Sequence, residues 1–293
     1  MKKSVLRKAE PYLWILPSIV LMAIFILIPI VFVFRMSVSK ITKAGLIKGF
    51  NGLENFQSVI SSPAFAIVLK NTIVWTVFVV VLSTVLGFIL ALLLNNEFKG
   101  RKIARAIVVF PWATTLVIQA SVWSFIINTD YGALNTLLKT LGIISANVNW
   151  TPTPEAYFAW EIACGIFVTI PFVCFTTLSG LQSIDSSLYE AATVDGANYW
   201  QKLFTITLPL VKPSLTVATV LNIIYVFNSF PIVWTITKGD PANRTDTLVT
   251  YLYKLAFYNG KQGQAAAVSV IGFTILLICA SIYMYSTLKK GDD

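Results

Sequence analysis

The chain of 293 residues contains no histidine. That removes the commonest general base, the Ser–His and Cys–His nucleophile pairs, and the usual imidazole ligands of zinc. Charge is scarce as well. Charged side chains make up 12% of the sequence, against about 25% in an average soluble domain. There are three cysteines, Cys164, Cys174 and Cys279, all inside apolar stretches. An odd number at that depth gives neither a disulfide framework nor a C-x-x-C motif. They read as small packing residues between helices, and no metal site is expected. The phosphate-binding pattern G-x-x-x-x-G-K-[ST] is also missing. The one Gly-Lys pair, Gly260-Lys261, has Leu255 where the first glycine belongs, so the chain has no ATP-binding loop of its own.

What the sequence does have is apolar length. Hydrophobic residues reach 56%, and six uncharged stretches of 23–27 residues stand out: 11–34, 71–96, 106–129, 162–184, 213–237 and 262–288. A bilayer crossing needs roughly 20 apolar residues as helix. The expectation is an all-α membrane protein with six transmembrane helices in a single domain over 1–293, and a soluble enzyme is excluded. The basic start (Lys2, Lys3, Arg7, Lys8) followed by the 11–34 run imitates a secretion signal. The run is longer than the ~7–15 residues of a signal core and ends without a small-x-small cleavage site, so it reads as a retained first span. The net charge of +9 does not point to nucleic acid, because the basic residues flank the spans. They are densest in the first eight residues and at Lys99, Arg101, Lys102 and Arg105, in the shortest loop. Orientation follows such clusters, which assigns both termini to the cytoplasm, with Arg35 as the exception.

No Asp, Glu, Lys or Arg lies inside these stretches; Glu161 sits at the mouth of the fourth. Proton-coupled carriers need such groups at membrane depth. If the protein pumps, another subunit supplies the energy. The stretches carry neutral polar and aromatic side chains instead. In the fifth, Asn222, Tyr225, Val226 and Ser229 fall at i, i+3, i+4 and i+7, on one helix face, with Asn228 slightly beyond. The fourth contains Thr169-Ile170-Pro171-Phe172, where Pro171 removes a helical hydrogen bond and can kink the helix. Two readings remain open for this material: glue between packed helices, or the lining of a polar cavity.

The segment 185–212 between the fourth and fifth spans reads as two short helices at an angle. Ser186 and Ser187 are candidate caps for the first, with Glu190 in capping-box position to Ser187. Asp195-Gly196 makes the turn. Tyr199, Trp200, Leu203 and Phe204 form an apolar face on the second. Glu190-Ala191-Ala192, then three residues and Gly196, then nine residues and Ile206-Thr207-Leu208-Pro209 resemble the EAA loop of importer-type ATP-binding-cassette permeases, element for element. Further motifs are similar to the first permease of carbohydrate importers, the maltose and glycerol-phosphate type. They include Asn55-Phe56, Asn71-Thr72, Gly100-Arg101 with Pro111, Tyr131-Gly132 with Asn135, Phe227 to Phe230, and Thr237 to Pro241. Gly239-Asp240-Pro241 departs from the usual Gly-Gly-Pro, and the short 35–70 segment has no room for the extra outer domain of some members.

The resemblance implies a type I importer permease fold in the cell membrane. It implies a homologous second permease, two cytoplasmic ATPase subunits, an extracytoplasmic solute-binding protein, and no cofactor in this chain, since ATP is hydrolysed by a partner. It places ATPase coupling at Glu190, Ala191, Ala192, Asp195 and Gly196. Substrate-facing positions fall at Val168, Thr169, Phe172, Asn222, Tyr225, Val226 and Ser229. An uncharged lining of Tyr, Phe, Asn and Ser suits a sugar or oligosaccharide, whereas a phosphate ester calls for Arg or Lys and a polyamine for carboxylates. The alternatives are a permease of the same superfamily for a charged organic solute, its charges coming from the partner, and a membrane-embedded enzyme, for which clustered catalytic groups are missing.

Overall fold

Prolines and glycines decide where the long helices of this chain begin, bend and touch. The computed structural model describes residues 14–288. The basic residues Lys2, Lys3, Arg7, Lys8, Lys289 and Lys290, and the first three residues of the 11–34 stretch, lie outside that range. Among the described residues, five helices are long and apolar enough to cross a membrane, and a sixth crossing is made if one bent pair is a single span. The helices are α1 (Trp14–Ser37), α2 (Glu54–Ile60), α3 (Pro63–Asn95), α4 (Arg101–Val109), α5 (Leu116–Ile126), α6 (Ala133–Thr140) and α7 (Pro154–Gln182). They continue with α8 (Ser186–Val194), α9 (Tyr199–Lys202), α10 (Leu208–Phe227), α11 (Pro231–Ile236), α12 (Leu248–Tyr253) and α13 (Gln262–Leu288). A short antiparallel hairpin, β1 (Ser39–Ile41) with β2 (Ile47–Phe50), is the one strand pair among the described residues.

Several helices run past the uncharged stretches. α3 has 33 residues, about 50 Å at 1.5 Å per residue, well beyond the roughly 30 Å of hydrocarbon. Its first turns carry Lys70, which charge-free counting excluded. α7 starts at Pro154, with the Thr153 hydroxyl accepting from Ala156 N–H as its cap; proline at the first position has no N–H to leave unpaired. Glu155 and Glu161 therefore lie within this helix. Pro171 does not interrupt it.

The 106–129 stretch is not one straight span. α4 passes through a 3-10 turn, Phe110–Ala113, and meets α5 at 97°. Pro111 has no N–H, and Thr114 and Thr115 are extended. The corner is closed by Thr115, whose hydroxyl caps α5 through Ile118 N–H, and by buried Gln119, which donates to the Pro111 carbonyl and the Thr114 hydroxyl. The fifth stretch is also broken: α10 ends at Phe227, and Asn228 to Phe230 separate it from α11.

The described chain forms two compact units. One comprises the described residues up to Ser62 with Leu252–Phe273. In it, α1 exposes almost all its apolar side chains, and Phe34 meets Phe273 edge-on at 6.3 Å. Asn55 fixes the hairpin root by donating to the Ser37 and Ser39 carbonyls, both at 2.9 Å.

The other unit, Pro63–Tyr251 with the described residues from Thr274 on, is centred on α3, α7 and α10. One cluster gathers Trp75, Val79, Cys164, Val168, Val226 and Val233, and a second gathers Ala91, Leu94, Cys174, Leu178 and Val211. The Trp75 indole N–H donates to the Val226 carbonyl at 2.9 Å, satisfying one of the orphan acceptors at the end of α10. Gly165 is what lets α7 close on this core: a Cβ there would lie 2.8 Å from the Trp75 ring. Small residues at such crossings let helix backbones approach in a membrane. We expect Gly165→Val to cost about 1–3 kcal/mol by overpacking, read as a lower thermal unfolding midpoint of the detergent-purified protein. An unchanged midpoint would show that the crossing has slack.

Candidate functional site

The signature loop is a helix, a forced turn and a second helix. α8 is capped by Asp185, whose carboxylate accepts the Ser187 N–H at 2.9 Å. That backbone hydrogen bond holds the Asp185 carboxyl below its ordinary range. The cap is thus Asp185, not Ser186 or Ser187, because an ionised oxygen is the stronger acceptor and Asp185 has the extended backbone a cap needs. Glu190 is freed from the capping box. It stands exposed, with no hydrogen bond or ion pair among the described residues.

The spacing from Ala192 to Gly196 is a helix terminator. Ala197 N–H donates to the Ala192 carbonyl at 2.9 Å and Gly196 N–H to the Thr193 carbonyl at 3.1 Å. This is the six-to-one and five-to-two pair that ends a helix on a left-handed residue. Gly196 has φ +79°, and a Cβ there would meet nothing within 4 Å. Asp195 is the exposed cap residue before it. α9 then starts on a true capping box, which sequence reading missed: Gln201 N–H donates to Asn198 Oδ1 at 3.0 Å, and Asn198 N–H to Gln201 Oε1 at 2.7 Å. The arms are braced by Lys202 Nζ donating to the Thr193 hydroxyl at 2.7 Å and by Tyr189 and Thr207 sharing a hydrogen bond at 3.0 Å. Ile206-Thr207 ends a π turn, Leu203–Thr207, and Leu208-Pro209 opens α10 directly after it. The wide turn gives room for Pro209, which lacks an N–H.

This loop presents an apolar surface. Val194, Tyr199, Trp200 and Phe204 are all exposed, and the Trp200 and Phe204 rings stack at 6.3 Å. Glu190, Ala191, Asp195 and Gly196 are exposed beside them, with Ala192 half-buried. An apolar patch on a polar-rimmed loop is a surface for another protein or for membrane.

The residues read as substrate-facing are not all on one accessible face. Asn222 is fully buried and donates its amide to the Ser83 hydroxyl at 2.8 Å. Val226 is 1% exposed and packs against Trp75, as does Val168 at 2%. Thr169 is buried and returns its hydroxyl to the Gly165 carbonyl at 2.8 Å. Ser229 is buried and lies past the end of α10, so helical spacing does not reach it or Phe230. Tyr225, 44% exposed, is the accessible member of the set on α10. The exposed stripe there is Leu221, Ile224, Tyr225 and Asn228, at i, i+3, i+4 and i+7. It is rotated by about 100°, one residue's step, from the stripe read in the sequence. Spacing identifies a face without saying which way it looks, and Ser83 turns Asn222 inward. Phe172 is half-buried, and its ring meets that of Trp112, at the α4–α5 corner, at 6.4 Å.

Two further groups were missed. Glu161 was placed at the mouth of a span, yet it is fully buried within α7 and accepts from the Thr237 hydroxyl at 2.7 Å. Thr237 in turn shares a 2.7 Å hydrogen bond with Thr245. Asn135 proves to be a loop anchor. It donates to the Thr129 and Val148 carbonyls at 3.0 and 2.9 Å and accepts from Val148 N–H and the Trp150 indole. Asn71 and Thr72 do the same for the 244–248 segment: Asn71 donates to the Arg244 carbonyl at 2.8 Å, and Thr72 accepts Leu248 N–H at 2.8 Å. Residues that look like recognition motifs thus owe their identity to buried backbone groups that need partners.

Residues 83–288 match the family described as the binding-protein-dependent transport system inner membrane component. A probable ABC transporter permease of Brucella suis is 45% identical over 97% of this chain and 98% of its own length. The trehalose/maltose transport system permease MalF of Thermococcus litoralis is 37% identical over 93% of this chain and 92% of its own. The fold is that of a bacterial ABC transporter chain involved in import of the acidic polysaccharide alginate, with a TM-score of 0.85, 24% identity and 98% coverage of both chains. ATP hydrolysis in this family belongs to a separate subunit, and the chain is no enzyme. With its bundle of spans and its Glu-Ala-Ala…Gly helix terminator, the chain belongs to the multi-pass inner-membrane permeases of binding-protein-dependent ABC importers.

Proposed function

We propose that this chain forms half of the translocation path of an importer for a neutral sugar or oligosaccharide. A second, homologous permease forms the other half, the loop 185–212 docks on one of two ATPase subunits, and a solute-binding protein delivers the substrate. The observation that carries the substrate class is the chemistry of the accessible set: Tyr225 on α10 and Asn228 at its cap, with the Phe172–Trp112 ring pair, and no charged side chain among them. Amide and phenol groups exchange hydrogen bonds with sugar hydroxyls, and aromatic faces cover C–H patches. Val168, Thr169, Asn222, Val226 and Ser229 form the wall that holds these side chains in place. The trehalose/maltose permease among the relatives supports the same class. Glu190, Asp195 and Gly196, with Ala191 and Ala192, provide the small, exposed surface that an ATPase groove accepts at close range.

The test is uptake of radiolabelled trehalose and maltose in cells expressing this permease with its neighbouring importer subunits. Accumulation that disappears on deletion of this chain supports the reading. Accumulation of a sugar phosphate or a uronate oligomer, with neither disaccharide taken up or competing, overturns the neutral-sugar assignment and puts the binding charges in the partner.

A further inference from the structure

The basic cluster between the second and third spans is divided by function. Lys99 and Lys102 are exposed, but Arg101 and Arg105 turn inward on α4 and are half-buried. Arg101 Nε donates to the Leu94 carbonyl at 2.8 Å, and an Arg105 amino group reaches the same oxygen at 3.3 Å. Leu94 lies in the last turn of α3, where carbonyls have no partner in their own helix. With its amide oxygen facing the arginines, Gln182 accepts from Arg105 at 2.8 Å and from Arg101 at 3.3 Å. Gln182 is the last residue of α7. Two guanidinium groups therefore stand at the negative ends of two long helices, where cations are favoured, and tie both ends to α4.

The position of this clamp gives it a consequence. Three residues beyond Gln182, Asp185 caps the first helix of the loop 185–212. On the other side, α3 and α4 are joined only by residues 96–100, ending in Gly100 at φ +95°. Ala104 and Val108 pack α4 on the cluster of Ala91, Leu94, Cys174 and Leu178, and the clamp adds the polar ties that fix its first turns. α4 leads into the 97° corner that sets Trp112 against Phe172.

We propose that Arg101, Arg105 and Gln182 are positioning residues for the transport cycle. They lock the ends of α3 and α7 to α4, so that a displacement of the loop 185–212 is carried as one rigid movement into α3 and the α4–α5 corner. This rests on the coupling role assigned to that loop. The arginine fork is what the task needs: its planar set of donors spans two acceptors at once, whereas a lysine ammonium is a single point charge on a flexible stem.

The experiment uses the complete importer in nanodiscs and measures ATP hydrolysis with and without its loaded binding protein. Gln182→Leu removes the tie to α7 and leaves both arginine bonds to Leu94. Stimulated hydrolysis should fall about ten-fold, the size expected when coupling through a packed network is cut, while basal hydrolysis and the thermal unfolding midpoint stay near wild type. Gln182→Glu keeps an acceptor for both arginines and should restore stimulation, whereas Arg105→Lys should not. Spin labels at Thr193 and Leu93 add a structural readout. Their separation should be the same without nucleotide and with ADP–vanadate in the wild type, and should broaden between the two states in Gln182→Leu. Wild-type stimulation in Gln182→Leu, or equal loss in the Leu and Glu variants, overturns the clamp. If Gly196→Asp leaves uptake intact, the coupling role of the loop fails instead; if that variant is inactive while Gln182→Leu is not, the clamp alone fails.

Discussion

Gly196→Asp is expected to abolish uptake while the protein reaches the membrane at near-normal levels and still folds. The loop it changes carries no span, so insertion is unaffected. The geometry separates two contributions. Gly196 has φ +79°, a conformation in which a side chain costs on the order of 1 kcal/mol, less for Asn and Asp than for other residues. Within this chain a new Cβ meets nothing closer than 4 Å, so the subunit itself has room for the carboxylate. The severe effect arises only if another surface closes over the glycine, where an unpaired charge costs several kcal/mol, roughly. Gly196→Asn is the control, because it shares the backbone strain without the charge. Glu190→Lys should behave like Gly196→Asp, since Glu190 is exposed and unengaged in this chain and inverting it changes only what a partner meets. The measurement is uptake beside co-purification of the ATPase. Wild-type uptake by Gly196→Asp or Glu190→Lys, with the ATPase bound, would remove this loop from coupling.

Much of the architecture is written in the distribution of charge. Six uncharged stretches correspond to five long helices and a bent pair, because a charge in hydrocarbon is costly enough to be excluded from span interiors. The same rule misplaces their ends. Lys70, Glu155, Glu161 and Lys212 all lie inside helices that outrun the bilayer or bury the charge against protein. The corner after α4 was not legible, because Pro111 marks a break without giving its angle; that angle is fixed by Gln119, whose partners lie five and eight residues back. The hairpin at 39–50 left little pattern in its three- and four-residue strands. Gly196 could be read as a turn because a left-handed residue nearly always demands glycine or asparagine. Asp185 could not be preferred over two adjacent serines as the cap, since both residue types cap helices well.

The second large effect concerns the substrate path, where the sequence supplied a helix face but not its direction. Tyr225→Ala is expected to reduce uptake about ten- to a hundred-fold, from loss of a ring and a hydroxyl worth roughly 1–3 kcal/mol to a bound sugar. Asn222→Ala should act differently. Asn222 is fully buried and hydrogen-bonded to Ser83, so its loss costs about 1–2 kcal/mol of folding stability, while the molecules that fold transport normally. The two variants therefore part in their readouts: uptake per folded molecule for Tyr225, thermal midpoint for Asn222. Cysteine substitution maps the face directly, in a background with Cys164, Cys174 and Cys279 replaced. Cysteines at 225 and 228 should react with a water-soluble thiol reagent and be protected by substrate. Cysteines at 222 and 226, both behind the wall formed with α3 and α7, should stay unlabelled. Labelling at 222 with silence at 225 would mean that α10 turns its buried side to the path during the cycle, and that Asn222 and Val226, two of the four members of the face read from spacing, touch the solute after all.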